Sequence, residues 1–152
     1  MKFLTIDRRS AMKISAEIKK ISLVNGIVVE KLSNEEIKKI KNDITRKYIH
    51  SHPKPFLWDQ LKEAAVKEDC DGWQKICDFV GNSKCLMFFD DIEDKSVLVI
   101  NNGKSLYKLL DEMFGFEFYI TNFETNYLLC FNHHDCLLGC GTAKKWVESL
   151  NE

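Results

Sequence analysis

The chain has 152 residues, 45% hydrophobic and 30% charged, with a formal net charge of -1. That size and apolar content describe one domain, residues 1–152, with room for a buried core. Ten phenylalanines and three tryptophans exclude a disordered chain, since burying them drives collapse, and no segment reaches the roughly 20 apolar residues that span a bilayer.

In chain order, Met12, Ile14, Ile18 and Ile21 form a helical stripe over residues 10–22. Ile27-Val28-Val29 reads equally as a strand or an extended link. Ser33 followed by Glu36 is a capping box, and Ile37, Ile40, Ile44 and Tyr48 lie on one face of the helix behind it. Pro53 and Pro55 of "HPKP" end that helix by disfavouring helical geometry at His52 and Lys54. Leu57, Trp58, Leu61 and Ala65 predict a further helix over 56–67. Trp73, Ile76, Cys77 and Val80 predict a short one closed by Gly81.

The period then changes to two. "CLMFF" and "SVLVI" read as paired strands around the acidic loop "DDIEDK". Leu106, Leu109, Leu110 and Met113 suggest a helix stopped at Gly115. Strands follow at Phe116–Thr121, Tyr127–Asn132 and Cys136–Cys140, with Phe116, Phe118 and Ile120 alternating as in a sheet with one buried face. A last helix from about Thr142 buries Trp146, Val147 and Leu150. The fold class is α+β: a helical N-terminal part packed on a mostly antiparallel sheet, with a C-terminal helix.

The segment richest in reactive side chains is "NYLLCFNHHDCLLGCG", Asn126 to Gly141. Zinc takes four Cys/His ligands, usually as two close pairs. Cys130, His133 and Cys136 can contribute three, whereas Cys136 and Cys140 on one strand face lie about 13 Å apart at about 3.3 Å per residue. A catalytic pair needs a thiolate touching an imidazole that a third group orients; Cys130 or Cys136, His133 or His134, and Asp135 supply the types. Reactive thiols also want an electropositive setting, and this segment lies in an acidic half. The reading preferred is a β-hairpin whose loop is "NHHD", Asn and Asp suiting turns through side-chain bonds to nearby backbone. No metal and no cofactor are expected. The six cysteines read as free thiols of a reducing, cytoplasmic compartment, because Cys77, Cys85 and Cys130 sit inside apolar segments and no signal peptide opens the chain.

Charge is unevenly spread. Residues 1–55 carry 13 Lys/Arg against 6 Asp/Glu, and residues 56–152 carry 9 against 17. The paired lysines and Arg8-Arg9 of the first part could contact phosphates, but Lys38-Lys39 share one helix with Glu35-Glu36 and no nucleic-acid-binding signature appears. Glu93-x-Lys95 contains the residue types of metal-dependent nucleases, yet falls in a loop rather than a core strand. The acidic residues instead form two knots: Asp90, Asp91, Glu93 and Asp94, and Glu68, Asp69 and Asp71 beside Trp73. Together they would steer and pair with a basic partner, and nucleic-acid-binding proteins are often basic in this way.

The stretch "FEFYITNFETNYLLCFNHHDCLLGCGTAKKWV", Phe116 to Val147, resembles bacterial immunity proteins that accompany secreted polymorphic toxins, of the contact-dependent growth inhibition type. The resemblance lies in the order strand, strand, Asn-His-His-Asp turn, strand and Trp-bearing helix. It implies a cytosolic protein that is not an enzyme and that binds and blocks one toxin domain, commonly a nuclease. The expected contacts are the two acidic knots with Trp73.

Overall fold

The computed structural model describes residues 12–50, 56–113 and 115–151. Arg8-Arg9, the start of the first helical stripe and "HPKP" lie outside them.

Helix α1, Ile14–Val24, leads to strand β1, Val29–Lys31, and then to α2, Asn34–Tyr48. The N-cap of α2 is Ser33, and both halves of its capping box form: Ser33 Oγ accepts from the Glu36 N–H at 3.3 Å, and Glu36 Oε1 accepts from the Ser33 N–H at 3.2 Å. Replacing Ser33 with alanine is expected to lower stability by about 1 kcal/mol, measured as the shift of a urea unfolding midpoint. The face that α2 buries is Ile40, Ile44 and Tyr48, four residues apart, with Ile37 half-buried.

Residues 56–67 are not a helix. Leu57–Gln60 form a single 3-10 turn, Ile49 and Leu61 make one antiparallel bridge, and Ala65–Glu68 form β2. Leu57, Trp58 and Leu61 still turn inward, so their apolar spacing signalled burial correctly. The form taken is decided by the sheet, where β7, Cys136–Gly141, presents an unpaired edge that β2 fills. A second 3-10 turn, Gly72–Lys75, leads into α3, Ile76–Val80. Gly81 ends that helix at φ 64°, a conformation cheap only for residues without a Cβ.

The remaining elements are β3, Cys85–Phe88; β4, Val97–Ile100; α4, Leu106–Asp111; β5, Phe118–Thr121; β6, Tyr127–Phe131; β7; and α5, Ala143–Ser149. Among the described residues, seven strands make one antiparallel sheet in the order β1-β4-β3-β5-β6-β7-β2. The fold is α+β.

Both faces of the sheet are buried, not one. Met87, Leu98, Phe118, Leu129 and Phe131 pack beneath α1, α3, α4 and α5. Leu86, Phe88, Val99, Tyr119, Leu128 and Cys130 pack beneath α2 and the strap of residues 56–61. Near-continuous apolar strands such as "YLLCF" meet this requirement. At Gly139 a Cβ would lie 2.6 Å from Val147 Cγ2, so the missing side chain lets α5 seat directly on β7.

Candidate functional site

The strand registers bring distant acidic segments to one end of the sheet. Phe88, Tyr119, Cys130, Leu138 and Val66 form one row across β3, β5, β6, β7 and β2. Beyond that row, on the same side, come the β3–β4 turn with Asp90–Asp94, then Glu117, the Asn132–Asp135 turn, and Glu68–Asp71. Four inter-strand steps separate the two knots, about 19 Å at about 4.8 Å each. The second knot is tied to the hairpin, since the Asp69 N–H donates to Asp135 O at 2.8 Å.

The first knot divides into two anchors and two presented carboxylates. Asp90 is 6% exposed and Asp94 3%, so neither stands open on the surface as expected, although Asp90 reaches the lining of a cleft. Asp94 Oδ2 accepts from the Ser15 N–H at 2.9 Å and Oδ1 from the Ser96 N–H at 3.0 Å. Lys13, the N-cap of α1, offers no side-chain cap, and Asp94 supplies one from 79 residues away, where a negative charge also suits the helix dipole. Asp90 Oδ1 accepts from the Leu57 N–H at 2.9 Å and the Tyr119 O–H at 2.9 Å, and the Asp90 carbonyl accepts from the Glu93 and Asp94 N–H groups. The turn is thus tied at both ends. Asp91 and Glu93 remain exposed on it, with Ile92 at 70% between them. Glu93 and Lys95 are both exposed and precede β4, so they do not form a core-strand nuclease pair.

The two anchors titrate in opposite senses. Burial raises the Asp94 carboxyl, but the Ser15 and Ser96 donors outweigh it and leave it below its ordinary value. Its stabilisation is therefore present above the unfolded-state pKa and lost as pH falls through the lower folded one. The stability deficit of Asp94→Asn relative to the parent should accordingly shrink below about pH 4, as read by unfolding at a series of pH values. Burial raises Asp90 above its ordinary value despite the Leu57 and Tyr119 donors, with Glu117 and Glu93 adding to the rise.

The second knot changes similarly. Trp73 is 2% exposed, packed in the main core and stacked on Tyr107 at 5.6 Å, and cannot anchor a partner from the surface. Its place inside follows from the 3-10 turn, which points the indole beneath α4. Asp69 accepts from Lys75 Nζ at 2.7 Å and from the Asp71 N–H at 3.0 Å, and Lys75 with that N–H holds its carboxyl below the ordinary value. Glu68 and Asp71 are exposed. Among the described residues, Asp69, Cys70 and Asp71 are the one group of three donor side chains whose atoms fall within 4.8 Å of one another.

Between the knots, "NHHD" is the hairpin loop expected. Asn132 Oδ1 accepts from the His134 and Cys136 N–H groups at 3.0 and 3.2 Å, and Asp135 takes φ 56°. His133 Nδ1 pairs with Glu117 Oε2 at 2.8 Å, and the His133 N–H donates to the same oxygen at 3.0 Å. Trp58 lies edge-on to both imidazoles, at 5.7 and 5.5 Å, and stacks on Phe56. Cys130, His133 and Cys136 do not converge. Cys130 is wholly buried, and Cys136 Sγ contacts His134 O at 3.5 Å rather than an imidazole. Burial pushes the Cys130 thiol well up, Cys136 is raised as well, and Cys140 is raised to about 11. All six cysteines are free.

Sequence reasoning did not find Glu117, Tyr119, Trp58 or Lys41 as members of this end. Lys41 pairs with Asp91 at 2.5 Å and lies 5.5 Å from the centroid of the Phe88 ring. Tyr119 alone carried a signal, being an aromatic on the strand face taken to be solvated.

A family model described as a family of unknown function (DUF6756) matches residues 10–151. The chain belongs to that family. No curated protein and no solved structure matches it. The match to the family spans both knots, the hairpin loop and helices α1 to α5, so the acidic end lies wholly within the matched region. No described helix is long and apolar enough to cross a membrane.

Proposed function

We propose that this protein is an immunity protein of the contact-dependent growth inhibition type, which binds and neutralises a cognate secreted toxin domain in the cytoplasm. The toxin domain is basic, a nuclease, and its phosphate-binding face meets the acidic end of the sheet. The observation that carries the reading is the gathering of Asp91, Glu93, Glu68 and Asp71 on one sheet end, along about 19 Å. That breadth fits within one partner face of a standard interface, which buries about 800 Å² on each side. Tying the β3–β4 turn through Asp90 and Asp94 reduces the entropy lost when Asp91, Ile92 and Glu93 are immobilised by a partner. Inhibition of this kind asks for surface, shape and charge; it needs neither a catalytic group nor a cofactor.

The test is protection. The toxin domain encoded beside this gene, expressed alone, should arrest growth, and co-expression of this protein should restore it. A wild-type protein that folds yet leaves growth arrested, and does not bind the purified toxin domain, refutes the proposal.

A further inference from the structure

A cleft of about 290 Å³ opens between α2 and the end of β3, lined by Lys41, Thr45, Leu57, Phe88, Asp90 and Asp91. Three features of it belong together. Asp90, 94% buried, satisfies only one carboxylate oxygen: Oδ1 has two donors, while Oδ2 is buried with no partner among the described residues. An unmatched buried carboxylate oxygen is costly, and asparagine at this position would keep the Oδ1 acceptor without burying a charge. The cleft also holds a cation of the chain's own, since the Lys41 ammonium sits on Asp91 and over the Phe88 ring. Finally, the cleft adjoins the presented Asp91-Ile92-Glu93 turn, so a group bound by that turn reaches it.

We infer that the cleft is a receptor for one arginine side chain of the protein partner, which replaces the Lys41 ammonium, stacks on Phe88 and bridges Asp91 to the unmatched oxygen of Asp90. The identity of that partner rests on the proposed function; the chemistry of the cleft does not. A guanidinium suits it better than an ammonium, because it is planar, stacks on aromatic faces, is weakly hydrated and offers paired donors to carboxylates. The guanidinium approaches the Asp90 carboxyl from the cleft it lines, while the Leu57 and Tyr119 donors keep Oδ1 in place. Lys41 then acts as a placeholder that keeps the acidic cleft occupied in the free protein.

The experiment is an NMR titration of the ¹⁵N-labelled full chain with N-acetyl-arginine amide, and in parallel with N-acetyl-lysine amide. The arginine compound should perturb the Leu57, Trp58 and Asp90 amides saturably, and the lysine compound should bind at least about 10-fold more weakly, which is about 1.4 kcal/mol. Lys41→Met should tighten arginine binding about 10-fold, and Asp90→Asn should weaken it by at least as much while its spectrum remains folded. Perturbations confined to the exposed turn, equal for both compounds and unchanged in the two variants, overturn the inference, as does a Lys41→Met protein of unaltered affinity. The toxin is absent from this assay, so loss of arginine binding removes the cleft and leaves the immunity proposal standing. Failure of growth protection with arginine binding intact does the reverse.

Discussion

Replacing Tyr119 with phenylalanine should destabilise the protein by about 3 kcal/mol and loosen the 56–61 strap selectively. Tyr119 is fully buried, and its hydroxyl serves two segments at once: it accepts from the Trp58 N–H at 3.0 Å and donates to Asp90 Oδ1 at 2.9 Å. Phenylalanine preserves the stacking on Phe88 at 5.0 Å but strands the Trp58 N–H and leaves Asp90 Oδ1 with the Leu57 donor alone. A buried amide left without an acceptor costs about 1–3 kcal/mol, and a bond to a charged group contributes about as much. For a chain of this size a 3 kcal/mol loss lowers Tm by about 10 °C.

Two readouts separate this account from a general packing defect. In hydrogen exchange, the Leu57 and Trp58 amides should lose more protection than the amides of β3–β6, because the strap opens below the global unfolding energy. The deficit should also depend on pH. Asp90 has a folded pKa raised above its unfolded value, so the native state gains stability as pH falls through that folded pKa. Removing the tyrosine donor raises it further, and the deficit of Tyr119→Phe should diminish as acid neutralises Asp90. A loss below about 1 kcal/mol, with Leu57 protection unchanged, would mean that the hydroxyl is not the latch.

The second large effect is on partner binding. Changing Asp91 and Glu93 together to lysine should weaken binding of the toxin domain about 100-fold, slow association more at low salt, and abolish growth protection. Stability should scarcely move. The Asp91 side chain is 65% exposed, and surface ion pairs contribute about 0–1 kcal/mol. The same change at Glu124, an exposed residue in the β5–β6 turn at the opposite end of the sheet, should leave affinity and protection intact. If both reversals weaken binding alike, net charge rather than the acidic end governs association, and the chosen surface is wrong. Reversal of Asp90 or Asp94 is uninformative about contact, because both are buried anchors and their loss unfolds the turn that carries the others.

Much of the architecture was legible in the residues because it depends on neighbours close in sequence. Ser33 and Glu36 cap each other three positions apart. Gly81 stops a helix where only a residue without a Cβ sits easily. The short apolar, β-prone runs at 85–89, 96–100 and 127–131, bounded by turn residues, read as strands, and Asn132 bonds the backbone of its own turn.

What only the tertiary structure decided depends on groups far apart in the chain. Residues 56–67 carry apolar spacing compatible with a helix, yet the unpaired edge of β7 drew Ala65–Glu68 into the sheet, because unsatisfied backbone groups outweigh a weak local preference. The acidic knot Asp90–Asp94 reads as four equivalent charges, but besides the neighbouring Ser96 the donors to its two buried members come from Ser15, Leu57 and Tyr119. A carboxylate becomes an anchor or a contact according to which N–H or O–H the fold delivers to it, and no spacing within "DDIEDK" encodes that delivery.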